Sequence, residues 1–307
     1  MGSTPAPGRA LLRGPEDWLS QARMQRKLLD MSDEVIESTR NSRVVDAVKL
    51  GQRKHRRRQE RFLVEGLQLI GMGLEQRQQR GARPLEAFVC REQLRGEAGL
   101  RLLRGVEEAG VTPHEVTPLV MERLAEREEP QGLVVTFALM EEGEVPAPPE
   151  SSSGLVFVLD RLQDPGNLGT LIRTADAVGA AAVVLLEPSV DAFDPKTVGA
   201  SMGSIFSVPL VRVEDTEELG TALAGWSIVG ADSRQGDVAW EGDALDGSVA
   251  LALGNEARGL SDDLRALVTR WVRLPVTGAA ESLNVAVAGG VLAYEWRRRV
   301  STETGEN

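Results

Sequence analysis

Three short stretches carry polar residues where an α/β protein binds ligands, in the loops that leave strands and lead into helices. In the third, Glu281-Ser282-Leu283-Asn284 stands directly before an apolar, helix-compatible run ending at Trp296. Ser282 can cap that helix and Glu281 can favour its first turn, which leaves Asn284 without a capping duty. A site that needs a backbone carbonyl, a hydroxyl and an amide would use such a group. In the first, Asp164-Pro165-Gly166-Asn167 forms a turn after an apolar strand, and Arg173 and Asp176 follow on the next helix. The alternative there is a plain turn with an exposed helical arginine. In the second, a strand ends at Gly254, and Asn255-Glu256 opens a tight loop. A glycine at that point lets a ligand approach the backbone closely. The alternative is an ordinary helix start, with Glu256 near the positive end of the dipole.

Several chemistries are excluded. His55, His114 and Cys90 are the only histidines and the only cysteine, and all precede residue 141. A His/Cys zinc site, a cysteine nucleophile and a Ser-His-Asp triad are therefore ruled out for the second half. No carboxylate cluster suggests a metal. The G-x-G-x-x-G fingerprint is missing after the strand at 154–160, which disfavours a nicotinamide or flavin dinucleotide. A single cysteine allows no intrachain disulfide and fits a reducing, cytoplasmic setting. No apolar run suggests a membrane span, and the first 18 residues lack the apolar core of a secretory signal.

The elements that must position these loops can be read from composition and periodicity. The 307 residues carry a formal charge of −11. That charge is uneven. Residues 1–150 hold 23 basic against 24 acidic side chains, and the rest of the chain holds 12 against 22. From 40 to 61 there are nine basic and two acidic residues. A local basic stripe, Arg53, Lys54, Arg56, Arg57, Arg58 and Arg61, is what phosphate binding requires. The alternative is a solvated helical face. The stretch EEGEVPAPPESSSG (141–154) has little to bury and reads as a linker. This gives an N-terminal extension over 1–39, leader-like at first and helical from 15 to about 39. A compact α/β domain follows over 40–140, then a linker over 141–153 and a second domain over 154–301. In the second domain strand and helix patterns alternate, as in a mostly parallel sheet covered on both faces.

In order and spacing, NLGTLIRTADAVGA (167–180), LALGNEARGLS (251–261) and LPVTGAAESLNVAVA (274–288) resemble the three motifs of the SpoU (TrmH) family of RNA ribose 2′-O-methyltransferases. RKHRRRQERFLVEG (53–66) and EPQGLVV (129–135) resemble that family's substrate-binding module. The resemblance implies a trefoil-knotted, parallel-sheet α/β methyltransferase domain, S-adenosylmethionine as methyl donor, an RNA substrate and a homodimer with the site near the subunit interface. It implies a cofactor pocket lined by Leu253, Gly254, Leu274 and Leu283. It also implies an active-site set of Asn167, Arg173, Glu256, Ser282 and Asn284. The expected substrate is rRNA, 23S rRNA first. The alternatives are tRNA, or a non-catalytic RNA-binding or ribosome-assembly protein with the same fold. One position departs from the pattern: Gly199 stands where the family often has a basic residue just before ASMG, which bears on an RNA contact.

Overall fold

The computed structural model describes residues 35–77, 81–140, 142–150 and 152–304. The first module begins with α1 (Ser42–Val48), capped by Asn41, and α2 (Arg53–Gln59). It continues through β1 (Arg61–Glu65), α3 (Leu67–Glu75), β2 (Pro84–Val89), α4 (Gly96–Glu108), β3 (His114–Glu115), α5 (Pro118–Leu124) and β4 (Leu133–Ala138). Its sheet has the order β1-β4-β2-β3, with β4 antiparallel to β1 and β2, and β3 parallel to β2. Alternation along β1 divides the packing, as the period of two in a strand demands. Leu63 faces a core with Val44, Leu50 and Met121, while Phe62 and Val64 face the opposite side.

That opposite side belongs to both modules. Phe62 stacks within 4.9 Å of Phe193 and 5.9 Å of Phe206, and Phe137 lies 5.0 Å from Phe206, ring centre to ring centre. Val198 and Ile205 complete the same buried cluster.

The second module runs β5 (Leu155–Asp160), α6 (Pro165–Val178), β6 (Ala182–Leu186), α7 (Pro195–Ala200), β7 (Leu210–Val213), α8 (Thr216–Ala222), β8 (Ser227–Ala231), β9 (Asp237–Val238), β10 (Val249–Leu253), α9 (Asp262–Leu267), β11 (Arg270–Arg273) and α10 (Val285–Thr304). The described strands form one parallel sheet, ordered β7-β6-β5-β10-β8-β11-β9. Successive residues of β5 pack on opposite faces, Phe157 and Leu159 with α10's Leu292 and Trp296, and Val156 and Val158 with Ile228 and Leu264. Both faces are covered, so the central strands are apolar throughout. The chain winds outward from β5 through β6 to β7, then crosses to β8, and β10 enters between β5 and β8. The loops after β5 and β10 are therefore neighbours at the carboxyl edge, where such sheets bind ligands.

The structure corrects the local reading in several places. Residues 35–41 do not continue a helix; Ile36 pairs with Val116 in an isolated bridge. The rest of the expected N-terminal helix lies outside the described residues. KTVGASMGSIF (196–206) reads as one helix by its composition, but the helix ends at Ala200, and Met202 and Gly203 beyond it take left-handed backbone angles. Gly203 has φ +99°, a backbone conformation that other residues rarely adopt, and a side chain there would crowd Met72 of the first module. ARGLSDDLRALVTR (257–270) likewise reads as one helix, but only α9 forms, since Ser261 caps it late. The segment 142–150 connects the modules but lies docked. Gly143 donates to the Leu210 carbonyl (2.9 Å), and the Trp226 indole donates to the Pro146 carbonyl (3.0 Å).

Candidate active site

The loop after β5 starts with Asp160, fully buried, one oxygen of which accepts from the Ser261 N–H at 2.5 Å. Its other oxygen accepts from Arg161 Nε at 2.9 Å. One carboxylate thus ties the loop after β5 to the loop after β10. Asn255 strengthens the tie by donating to the Arg161 carbonyl (3.0 Å), while its own oxygen accepts from the Ala257 and Arg258 N–H groups. Asn255 and Gly259 close the loop on themselves as a bridge. A Cβ at Gly254 would lie 2.2 Å from the Gly259 carbonyl carbon, so glycine is required there by backbone contact alone.

Asp164 caps α6 by accepting from the Asn167 N–H at 2.7 Å, with Pro165 preset in the first turn. This holds the Asn167 side chain over the neighbouring loops, where its Nδ2 donates to Glu256 Oε1 at 2.9 Å. Asn167 Oδ1 in turn accepts from Asn284 Nδ2 at 3.0 Å. The direction of this chain is fixed at its far end. Asn284 Oδ1 accepts from the Ala286 and Val287 N–H groups, so its amide nitrogen must face Asn167. Asn167 must then present its oxygen to Asn284 and its nitrogen to Glu256, a carboxylate that only accepts. Three loops far apart in sequence are joined by one directed hydrogen-bond relay.

A cavity of about 600 Å³ opens beside the relay. Leu253, Gly254, Glu256, Leu274, Ser282, Leu283 and Asn284 line it, with Asp232 and Glu281 adding further carboxylates. The side chain of Leu253 also packs on α10 at Gly289, where an added Cβ would meet it at 2.7 Å. The capping expectation is reversed. Asn284, two residues beyond Ser282, caps α10, and Ser282 is an exposed member of the cavity wall.

Arg173 does not join this group within one chain. It is exposed and has no hydrogen-bond or ion-pair partner among the described residues. Six residues beyond Asn167, it stands about 9 Å along the helix and roughly 240° around it. The exposed face of the adjoining α10 carries Val287, Val291 and Tyr294, each 44–57% exposed, whereas Val285 and Leu292 are buried in the core.

The basic stripe divides. Lys54, Arg57 and Arg58 are exposed on α2. Arg53 pairs with Glu187 at 3.0 Å, and Glu187 also pairs with Arg212. Arg56, expected to face RNA, is 2% exposed. It binds Asp191 through two nitrogens at 2.7 and 3.1 Å and donates to the Leu50 carbonyl at 2.7 Å. Arg61 is occupied by Glu86 (2.7 Å) and Gln59. Burial alone would raise the Glu86 carboxyl; hydrogen bonds from His114, Arg61 and Arg43, together with the Arg61 charge, hold it down to about 2. Arg56 and Arg61 are thus spent on internal carboxylates, leaving a smaller outward patch. The pattern could have signalled this, since residues three apart on a helix share a face and Arg53 and Arg56 both turn inward.

Residues 154–294 match the model of the SpoU rRNA Methylase family, and residues 41–135 match an MRM3-like substrate binding domain. The chain is 32% identical over 268 residues to the 23S rRNA (guanosine(2553)-2′-O)-methyltransferase RlmP of Bacillus subtilis, covering 85% of this chain and 98% of that one. It is 33% identical to a 23S rRNA (uridine(2479)-2′-O)-methyltransferase of Streptomyces viridochromogenes, covering 83% and 89% of the two chains. Among solved structures, the AdoMet-bound rRNA methyltransferase from Sinorhizobium meliloti superposes with a TM-score of 0.76 at 30% identity, over 87% of this chain and 98% of that one. The SpoU methyltransferase AviRb from Streptomyces viridochromogenes, in complex with AdoMet, superposes with a TM-score of 0.75 at 30% identity, over 85% and 98%.

Proposed function

The chain belongs to the SpoU rRNA methylase family, and from that premise we propose the roles of its residues in S-adenosylmethionine-dependent methylation of a ribose 2′-hydroxyl in 23S rRNA. The observation that carries the reading is the Asn284–Asn167–Glu256 relay, which fixes three polar side chains beside one cavity.

The cavity fits the cofactor's chemistry. Its volume lies within the range of small-molecule sites. Gly254 offers a wall without a side chain, and Glu256, Glu281 and Asp232 complement a ligand that carries cationic groups. Gly254, Leu274, Leu283 and Leu253 would hold it. When bound, S-adenosylmethionine supplies a methyl group on a positively charged sulfur. Asn167 and Asn284, locked by the relay, orient the ribose, and Ser282 adds a hydroxyl at the wall. Orientation of this kind accounts for much of the acceleration of a two-substrate transfer. The guanidinium of Arg173 offers hydrogen-bond donors and no acceptor, so its role is that of a donor rather than a base. It binds the phosphate beside the reacting ribose and stabilises charge developing on the 2′-oxygen, whose proton passes to phosphate or water.

Because Arg173 is turned away from its own cavity, the complete site needs a second protomer. The Val287, Val291 and Tyr294 face of α10 is the surface we assign to that homodimer. Sedimentation of the full chain as a monomer at micromolar concentration would remove this assignment. We read the interlocked loops after β5, β10 and β11 as a trefoil knot. We read residues 40–140 as the RNA-binding domain, 141–153 as the linker, 154–301 as the catalytic domain and the cell compartment as the cytoplasm.

Incubation with methyl-labelled S-adenosylmethionine and 23S rRNA tests the proposal. Label is expected on ribose, detected as a nucleotide resistant to alkaline cleavage. Label on a base, or none in RNA, would sink it.

A further inference from the structure

The inward face of α2 and the loop it meets suggest a role for Arg56 that no RNA contact provides. Its guanidinium is buried and engages three groups at once: the Asp191 carboxylate, the Leu50 carbonyl and, at 3.7 Å, the Asp194 carboxylate. Asp191 uses its other oxygen to accept from the Phe193 N–H at 3.1 Å, and its carbonyl accepts from the Thr197 hydroxyl at 3.3 Å. Asp194 caps α7 by accepting from the Lys196 N–H at 3.0 Å. The contact therefore ends on the turn that starts α7. That helix lies almost against α6: a Cβ at Gly169 would stand 2.5 Å from the Thr197 carbonyl oxygen and 2.6 Å from the Ala200 Cβ. Gly169 is two residues beyond Asn167 and four before Arg173 on α6.

We infer that Arg56 is a positioning residue that sets the RNA-binding module against α6, so that RNA held by the first module meets Asn167 and Arg173 in register. The inference rests on the methyltransferase reading. A buried charge with several hydrogen-bonded partners adds a directional constraint that the apolar contacts of the aromatic cluster beside it (Phe62, Phe193, Phe206) do not supply. Two guanidinium nitrogens converge on one Asp191 oxygen while the third reaches the Leu50 carbonyl, a spread of donors that arginine supplies; lysine keeps the charge without that spread.

The test uses the full chain with the paired substitution Arg56→Met and Asp191→Asn, which removes the guanidinium and its main carboxylate together and leaves only Asp194, 30% exposed, without that partner. Arg56→Lys serves as the conservative companion. Melting temperature, S-adenosylmethionine affinity, the salt slope of RNA binding and single-turnover methylation of 23S rRNA are measured. Expected are a melting temperature and cofactor affinity close to wild type, an unchanged salt slope, and kcat lowered at least tenfold with KM for RNA within about threefold. Arg56→Lys should recover part of kcat. Methylation within twofold of wild type in the paired variant would overturn the positioning role. So would a salt slope flattened by about 1, since that is the signature of a lost phosphate contact. A wild-type chain that methylates no RNA would instead sink the enzymatic reading, and this role with it.

Discussion

Helix α2 and the relay at the cavity treat sequence distance in opposite ways. Within six positions α2 carries five cations, and it sends Arg53 and Arg56 to internal carboxylates while Lys54, Arg57 and Arg58 meet solvent. The relay gathers Asn167, Glu256 and Asn284 from positions 89 and 117 residues apart. A run of like residues therefore overstates a surface, and a scattered set understates a site. The reason is geometric. A helix rotates each residue by about 100°, so neighbours in sequence part company, whereas parallel strands deliver all their following loops to one edge.

The sharpest way to break this contrast is at the centre of the relay. Asn167→Ala removes the acceptor of Asn284 and the donor to Glu256 together. It should lower kcat by about a hundredfold in single-turnover methylation, because loss of orientation costs on that order. Stability should change little, as the Asn167 side chain is part-exposed and its backbone cap from Asp164 persists. An Asn167→Ala enzyme with more than half of wild-type kcat would show that the relay is only a structural tie.

Asn284→Asp separates two duties of one residue. Aspartate caps a helix about as well as asparagine, so the melting temperature should stay within about two degrees. It cannot donate to Asn167, so kcat should fall about tenfold. A loss of stability without a loss of rate would assign Asn284 to the helix alone.

On the other side of the comparison, Lys54, Arg57 and Arg58 replaced together by Ala should weaken RNA binding and flatten its log–log salt slope by about 1 to 3. Calorimetry should find cofactor affinity unchanged. An unchanged slope would leave α2 without any RNA contact.

The smallest effect concerns Glu86. Its folded carboxyl is held at about 2 against 4.5 unperturbed, so the unfolded chain takes up the proton first. The stabilisation is complete above about 4.5 and is lost as the pH falls from there toward 2. Glu86→Gln should flatten that part of the pH–stability curve in denaturant titrations; an equally steep curve would place the acid sensitivity elsewhere.

Much of the catalytic module is legible in the sequence, since β5, β6 and β10 are buried on both faces and read as continuous apolar runs. The loops that carry Asn167 and Glu256 follow from the ends of β5 and β10, whereas Asn284 follows β11, a strand of sequence RWVR that gives no such run. Less legible are contacts made across the modules. Nothing in residues 53–58 alone says that Asp191 lies opposite Arg56, because that pairing spans 135 positions. The cap of α10 falls on Asn284 rather than Ser282 because the chain stays non-helical through residue 284, where the Asn284 amide also meets Asn167 from another loop. The two-residue strands β3 and β9 owe their pairing to partners already in place, and their composition gives no signal.

The aromatic cluster between the modules has a consequence for how the chain comes apart. Phe62 and Phe137 lie on one side of the linker, and Phe193 and Phe206 lie on the other, yet they share one dry interior. A cut near residue 151 would leave Phe193, Val198, Ile205 and Phe206 open to water, and an isolated catalytic half should self-associate through them. The Pro- and Glu-rich segment thus marks a change of topology without marking a weak point, and the two halves should melt as a single cooperative unit.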